Sequence, residues 1–428
     1  MNKPEKTINQ HSISENSWQS EVMIWGITIL LAAILGIVLD GQSQLIEYLT
    51  LPAFLVLKIL VALAIPMFFL VIIYNLITIK IPGKTWRNLL FPLFSNTTLA
   101  ILIGFVVAHL FHPGSWGNLI TLNIVKPVQP TLDPSNIENF WDAILGIIQN
   151  LVPTSLVEPL VNNNVIQIIV VAFSLGIVLR AIKSEQIIQK KTDYQPLENV
   201  IEVLLEAVKV ILRWVIKLLP LAVFGILLKN IVTQGFAPLL SLVMFVLTIL
   251  VALFIQACYY LFIIKLGSSV KPVEFLRQGS EVFREAFISA SSSSTLPMAH
   301  KVFRDKIPLT PEASGLGVFV GAKLNKDGTI ILMVTSVLYI SQMLGQNLSL
   351  GQLFFLILAS IFASIGSAGI PNAGLVTLTL VFTAVNLPID YIAVILSVEW
   401  FIDKFYTLIN VMGYMTVSVL LHGKKPLS

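Results

Sequence analysis

Near the C-terminal end, EWFIDKFYTLINVMGY places Glu399, Asp403, Tyr406, Thr407, Asn410 and Tyr414 three or four residues apart. A helix carries such positions on one stripe. Carboxylates, hydroxyls and an amide facing one way inside an apolar segment are hard to explain as packing. A second group, Asn325-Lys326-Asp327-Gly328-Thr329, lies between the apolar runs VFVGAKL and ILMVTSVLYI. Burying an ion in hydrocarbon costs at least a few kcal/mol, so a lysine at this depth marks a site or a pathway. Asp-Gly is an ordinary turn in soluble proteins. Between two apolar half-spans it reads instead as an unwound point that exposes carbonyls and a carboxylate, ligands that hard cations favour. A third group, Ser291 to Ser294, ends in Thr-Leu-Pro. Hydroxyls and freed backbone N–H groups at the end of a half-helix suit an anion such as a carboxylate. The fourth, SIGSAGIPNAG from Ser364 to Gly374, is rich in glycine, which lets backbone approach a ligand closely.

These groups need elements to hold them. Of the 428 residues, 56% are hydrophobic and 12% charged, against roughly 25% charged in an ordinary soluble domain. The mean hydropathy is +0.87. Uninterrupted apolar runs at 22–39, 51–79 and 239–266 each reach the ~20 residues that cross a bilayer core of ~30 Å. The chain is therefore expected to be an all-α polytopic membrane protein. Six spans fit the first two thirds, at 22–41, 50–79, 88–111, 139–182, 197–231 and 236–266. The fourth is interrupted by Pro153, Pro159 and Asn162 to Asn164, and the fifth opens amphipathically with LENVIEVLLEAVKVILRWVIKLL.

The net charge of +4 is no nucleic-acid footprint, because the basic residues sit in loops. Lys80, Lys84 and Arg87 follow the second span; Arg180, Lys183, Lys190 and Lys191 follow the fourth; Lys424 and Lys425 close the chain. The positive-inside rule then places both termini in the cytoplasm. The polar residues 1–21 show no cleavable signal pattern. A single cysteine, Cys258, excludes an internal disulfide. Enzyme chemistry finds no support: HExxH, GxSxG and paired Cys/His arrangements are missing, and the serine run has no histidine in a matching polar stripe.

After residue 270 the pattern changes. Segments 272–303 and 350–388 each read apolar, small-residue tip, apolar, as a re-entrant hairpin would. Each precedes a span with polar residues, 312–345 and 389–421. Hairpin and broken span, then hairpin and polar span, form an internal repeat. Such repeats point to a transporter binding site at the membrane midplane. Irregular backbone survives at that depth only where it lines a cavity or is buried in protein.

SSSSTLP, GAKLNKDGT, SIGSAGIPNAG and DKFYTLINVMG, in that order, together with LKILVALAIPMFF and HLFHPG, resemble the dicarboxylate/amino acid:cation symporters. These are the excitatory glutamate transporters and their prokaryotic aspartate-transporter relatives. The resemblance covers nearly the whole chain. It implies eight transmembrane segments plus two re-entrant hairpins, arranged as an inverted-repeat elevator transporter and a homotrimer in the plasma (inner) membrane. A cytoplasmic segment 1–21 is followed by scaffold spans 22–79 and the transport-side span 80–111. Scaffold and trimer spans then occupy 112–235, the transport part 236–421, and a cytoplasmic tail 422–428. The resemblance assigns substrate binding to Ser291, Ser292 and Ser293, to Thr329, and to the second hairpin at Ile370, Pro371 and Gly374. It adds Thr407, with Asp403 for an amino group and Asn410 for a carboxylate. Cation-site positions fall on Asn96, Thr97, Gly321, Asn325, Lys326, Asp327, Ser364, Ile365, Glu399, Asn410 and Tyr414.

The departures from that pattern carry as much information. The family arginine for a side-chain carboxylate falls on Tyr406, and the arginine that archaeal members place before the hairpin serines falls on Ala290. A second carboxylate then lacks a bidentate partner, so a neutral amino acid packed against the Tyr406 ring is expected, with Tyr406 among the substrate-binding residues, rather than aspartate or glutamate. Lys326 stands where the family has methionine, Lys323 where threonine is frequent, and Tyr414 where a sodium-binding aspartate is usual. Unit charges 4 Å apart interact by ~4 kcal/mol at an effective dielectric of ~20, so a fixed ammonium beside Asp327 should strongly weaken sodium. The expectation is that Lys326 pairs with Asp327 as a tethered cation. Coupling would then be to protons, through a carboxylate such as Glu399, or absent, with no other cofactor. The competing expectations are a sodium- or proton-coupled carrier of dicarboxylates or acidic amino acids and, more distantly, a channel or receptor.

Overall fold

In lipid a helix satisfies its own backbone, so apolar runs of this length become helices. The computed structural model describes residues 10–39, 43–78, 86–117, 151–235, 237–367 and 373–424, and every regular element among them is helical. The first are α1 (Gln10–Val38), α2 (Ser43–Thr78) and α3 (Trp86–Phe111). A single 3-10 turn, Pro113–Gly117, closes α3. The expected fourth span is broken where its prolines and asparagines stand: a short α4 (Glu158–Val161) precedes α5 (Val165–Ile188). Asn164 caps α5, its side-chain oxygen accepting from Gln167 N at 3.3 Å. The part of that span at 139–150 lies outside the described residues.

The fifth span differs from a straight crossing. It is α6 (Gln195–Ile216) and α7 (Leu219–Gln234), bent by 48°. Pro220 stands in the first turn of α7, where its missing N–H costs nothing but continuation of α6 would clash. The amphipathic reading of α6 agrees with its buried residues, Ile201, Leu205, Leu212 and Val215. α8 (Ala237–Gly267) follows as an unbroken apolar helix.

The C-terminal repeat has the discontinuities its sequence announces. Hairpin 1 is α9 (Pro272–Ser289) and α10 (Leu296–Asp305). The broken span is α11 (Pro311–Gly315), a π turn (Leu316–Val320), α12 (Gly321–Leu324) and α13 (Asp327–Met343). Hairpin 2 is α14 (Leu350–Gly366) and α15 (Ala373–Ala384), and a 3-10 turn (Ile389–Tyr391) leads into α16 (Ile392–His422).

α13 is buried at every position from Asp327 to Ser341 and is the centre of the molecule. It packs on α3, α8, α14 and α16, while α16 also packs on α8 and α9. A helix buried all round must be apolar all round except where its polar groups find partners. On the outside, Phe91, Phe94, Val106 and Leu110 of α3 and Phe254 and Phe262 of α8 are exposed. Apolar surface of this extent is a liability in water and ordinary against lipid. Among the described residues five helices are long and apolar enough to cross a membrane.

Candidate functional site

All four polar groups contribute to one cavity of about 830 Å³. Its walls are the hairpin 1 tip (Ser289 to Ser293), Lys326 and Thr329 of the broken span, and Glu399, Asp403, Lys404, Tyr406, Thr407 and Asn410 of α16. Ser367 and Ala373 come from either side of the hairpin 2 tip. Lys326, Glu399, Asp403, Lys404 and Asn410 are buried, whereas Arg213 and Lys217, on the wall formed by α1, α6 and α7, are exposed. Charge is thus concentrated in the depths of the cavity with a basic rim.

The hairpin 1 tip is shaped largely by its own hydroxyls. α9 ends at Ser289, and Ala290 turns the chain in a left-handed conformation (φ 47°). Ser294 Oγ donates to Ser291 O at 2.9 Å, and Thr295 Oγ1 donates to Ser292 O at 2.9 Å. Thr295 Oγ1 also shares a 2.9 Å hydrogen bond with the Tyr414 hydroxyl. Tyr414, assigned to a cation site by resemblance, is fully buried and tethers the tip to α16.

The break at Asn325 and Lys326 is secured by α16. Asn410 Oδ1 accepts from Gly328 N at 2.9 Å and from Thr329 N at 3.3 Å, and its amide donates to Thr329 Oγ1 at 2.9 Å. Asn410 therefore caps α13 from another helix, satisfying donors that a helix start leaves without partners. The approach is close enough to require glycine: a Cβ on Gly328 would lie 2.3 Å from the Tyr406 carbonyl oxygen.

Asp327 and Lys326 point different ways, which corrects the expected pairing. No Lys326–Asp327 ion pair forms among the described residues. Lys326 Nζ donates to Ser292 Oγ, and the carboxylate that attracts it is Asp403, across the cavity. Asp327 faces inward among donors: Tyr260 Oη at 2.5 Å, Asn325 Nδ2 at 3.0 Å, Thr97 Oγ1 at 3.2 Å and Gln256 Nε2 at 3.5 Å. Asn96 Nδ2 donates in turn to Asn325 Oδ1 at 3.2 Å. The reason is competition: consecutive residues leaving a helix diverge, and the inner pocket already satisfies the carboxylate.

Around Asp327 the neighbours spend N–H and O–H groups on the carboxylate, whereas sodium needs oxygen lone pairs. Two oxygen acceptors nearby, Asn96 Oδ1 and Gln256 Oε1, are buried without a hydrogen-bond partner.

The remaining assigned positions are spread about. Ser364 Oγ donates to Ile361 O at 2.7 Å, and Ile365 O accepts from Asn75 Nδ2 at 3.3 Å. Gly321 packs against Tyr414. Ile370 and Pro371 lie outside the described residues. Sequence reasoning did not single out Gln256, Tyr260 or Lys404. The first two are polar, one turn apart in an otherwise apolar helix, which is a readable signal; Lys404 stands beside Asp403.

A polytopic helical bundle whose broken helices converge on a buried, charged cavity defines the class as a membrane transporter. Residues 26–423 match the model of the sodium:dicarboxylate symporter family, and the chain belongs to that family. Mouse excitatory amino acid transporter 3 is 24% identical, over 90% of this chain and 82% of its own. The C4-dicarboxylate transport protein of Stenotrophomonas maltophilia (strain R551-3) is 26% identical, over 92% of this chain and 86% of its own. Human excitatory amino acid transporter 5 reaches 37% identity over 39% of this chain and 29% of its own.

Proposed function

We propose that this protein carries a small α-amino acid without a side-chain carboxylate, with sodium coupling weakened or lost. The observation that carries the reading is Lys326, whose buried ammonium is bonded to Ser292 and faces Asp403 within the cavity. An amino acid placed there presents its carboxylate to Lys326 and the hairpin 1 hydroxyls and its amino group to Asp403. The built-in cation does locally what a bound metal ion would otherwise do, and the donors around Asp327 remove the need for a second one.

The arrangement proposed for this activity is eight transmembrane segments and two hairpins in an elevator carrier, assembled as a homotrimer with both termini cytoplasmic. The scaffold comprises 22–79 and 112–235, and the transport part 80–111 and 236–421. The test is counterflow of labelled amino acids in proteoliposomes with and without a sodium gradient. Saturable, stereoselective exchange of neutral amino acids that persists without sodium is expected. Exchange confined to aspartate, glutamate or C4-dicarboxylates, or uptake that collapses without sodium, overturns the reading. Conductance without saturable exchange would point to a channel.

A further inference from the structure

The base of hairpin 1 carries charge that the cavity does not use. Both of its ends are fastened beside the C-terminal end of α16. Ser269 N, just before α9, donates to Gly423 O at 3.0 Å, and Thr310 N, between α10 and α11, donates to His422 Nδ1 at 3.1 Å. The base therefore lies on the face of the molecule where the chain ends, the face proposed above to be cytoplasmic. α9 turns Phe275, Gly279, Val282 and Ala286 into the protein. Its other side exposes Val273, Leu276, Arg277, Ser280, Glu281 and Arg284, and α10 exposes Lys301, Arg304 and, just beyond it, Lys306.

The carboxylates here do not balance the cations. Residues 271–306 hold six lysines and arginines against four acidic residues, of which Glu274 and Glu285 are half-buried. Glu281 is bonded by Lys306 at 3.0 Å and Asp305 by Arg304 at 2.7 Å. Lys271, Arg277, Arg284 and Lys301 make no salt bridge among the described residues. Arg284 and Lys301 stand close enough to act on Glu281 as well, so the cations of the two helices form one cluster. Val273, 77% exposed, lies one turn from Arg277 on the same stripe. At a bilayer interface such a side chain enters the acyl boundary while neighbouring cations reach the phosphates.

We propose that the base of hairpin 1 docks on anionic phospholipid headgroups of the adjoining leaflet, with Arg277, Arg284 and Lys301 on the phosphates and Val273 and Leu276 at the acyl boundary. A guanidinium matches phosphate with paired N–H donors. Each Lys or Arg held near an anionic surface is worth about fivefold in affinity. α9 joins this base to the Ser289 to Ser293 wall of the cavity, so lipid held at one end restrains the other.

The experiment titrates the purified full-length protein in detergent with phosphatidylglycerol or phosphatidylcholine and follows its denaturation midpoint, which a ligand of the folded state raises. Phosphatidylglycerol should act at a concentration at least about tenfold lower than phosphatidylcholine. Arg277→Gln/Arg284→Gln/Lys301→Gln should abolish that preference, and Val273→Ser/Leu276→Ser should reduce the response to phosphatidylglycerol. Lys190→Gln/Lys191→Gln, at exposed lysines elsewhere, should keep both. Glycerol 3-phosphate, which lacks acyl chains, should not reproduce the shift. Equal response to the two lipids, a preference that survives the triple substitution, its loss in the Lys190/Lys191 variant, or full reproduction by glycerol 3-phosphate overturns the proposal. No substrate enters these readouts, so the amino-acid reading stands or falls separately.

Discussion

Lys326 and Asp327 are adjacent in the chain and serve different centres. The lysine reaches the hairpin 1 tip at Ser292, and the aspartate is enclosed by Tyr260, Asn325, Thr97 and Gln256. The helix break between Leu324 and Asp327 makes this divergence feasible. One ion is thereby given to the cavity and the other to the core.

Replacing Lys326 with methionine should lower amino-acid exchange in sodium-free buffer by about ten- to a hundredfold, the size expected for a lost hydrogen bond to a charged group. Ser292→Ala should have a smaller effect, because the ammonium keeps its attraction to Asp403. Counterflow at several sodium concentrations checks both. A Lys326→Met protein that exchanges normally without sodium would remove the ammonium from the mechanism.

Asp403→Asn should be more damaging, because it removes the carboxylate that attracts Lys326 across the cavity and strips the cavity of the acceptor for an amino group. A lost hydrogen bond to a charged group costs about 1.5–3 kcal/mol, and here the Lys326 ammonium loses an attracting carboxylate as well. Exchange should fall by more than about thirtyfold, while expression and oligomeric state hold. Isothermal titration of the purified variant would separate lost binding from lost movement.

Much of this was legible in the sequence, and the limits are physical. Helical periodicity put Glu399, Asp403, Tyr406, Thr407, Asn410 and Tyr414 on one stripe, and the structure gathers all but Tyr414 in the cavity, Tyr414 bonding instead to Thr295 behind the hairpin 1 tip. Apolar half-spans around NKDG announced the break that separates α12 from α13. What neither pattern contains is direction at an irregular point. Whether Lys326 turns to Asp327 or to Ser292 depends on what α3 and α8 place in the core, at separations of 67 to 230 residues from Asp327. Asn410 shows the same limit: its residue type signals a polar contact, but its capping of Gly328 depends on how closely α16 crosses α13.

That crossing supplies a stability prediction. A methyl group on Gly328 would meet the Tyr406 carbonyl at 2.3 Å, a distance backbone atoms cannot share. Gly328→Ala should therefore push α13 away from α16 and loosen the Asn410 cap, costing about 1–3 kcal/mol in overpacking alone. A lower midpoint in thermal denaturation in detergent is the expected outcome. An unchanged midpoint with full exchange would mean that the helices do not approach this closely.

The last prediction concerns movement. Trp25 of α1 and Trp400 of α16 are stacked, with ring centroids 6.1 Å apart and planes within 5° of parallel, and both line the cavity. They are far apart in the chain and belong to the two parts that the proposed mechanism moves past each other. If α16 slides relative to α1 during transport, this stack must break and reform in each cycle. The exposed Cys258 is the only native cysteine, so in a Cys258→Ser background Trp25→Cys and Trp400→Cys can be joined by a cleavable bifunctional thiol reagent long enough to span the two helices. Cross-linked, that protein should still bind substrate but exchange it at least about tenfold more slowly, and cleavage of the linker should restore the rate. Indole stacking adds only about 0.5–1.5 kcal/mol beyond area burial, so Trp25→Ala alone should shift the balance of states without arresting exchange. Full exchange by the cross-linked protein would show that α1 and α16 move together, and the moving boundary would then have to lie elsewhere.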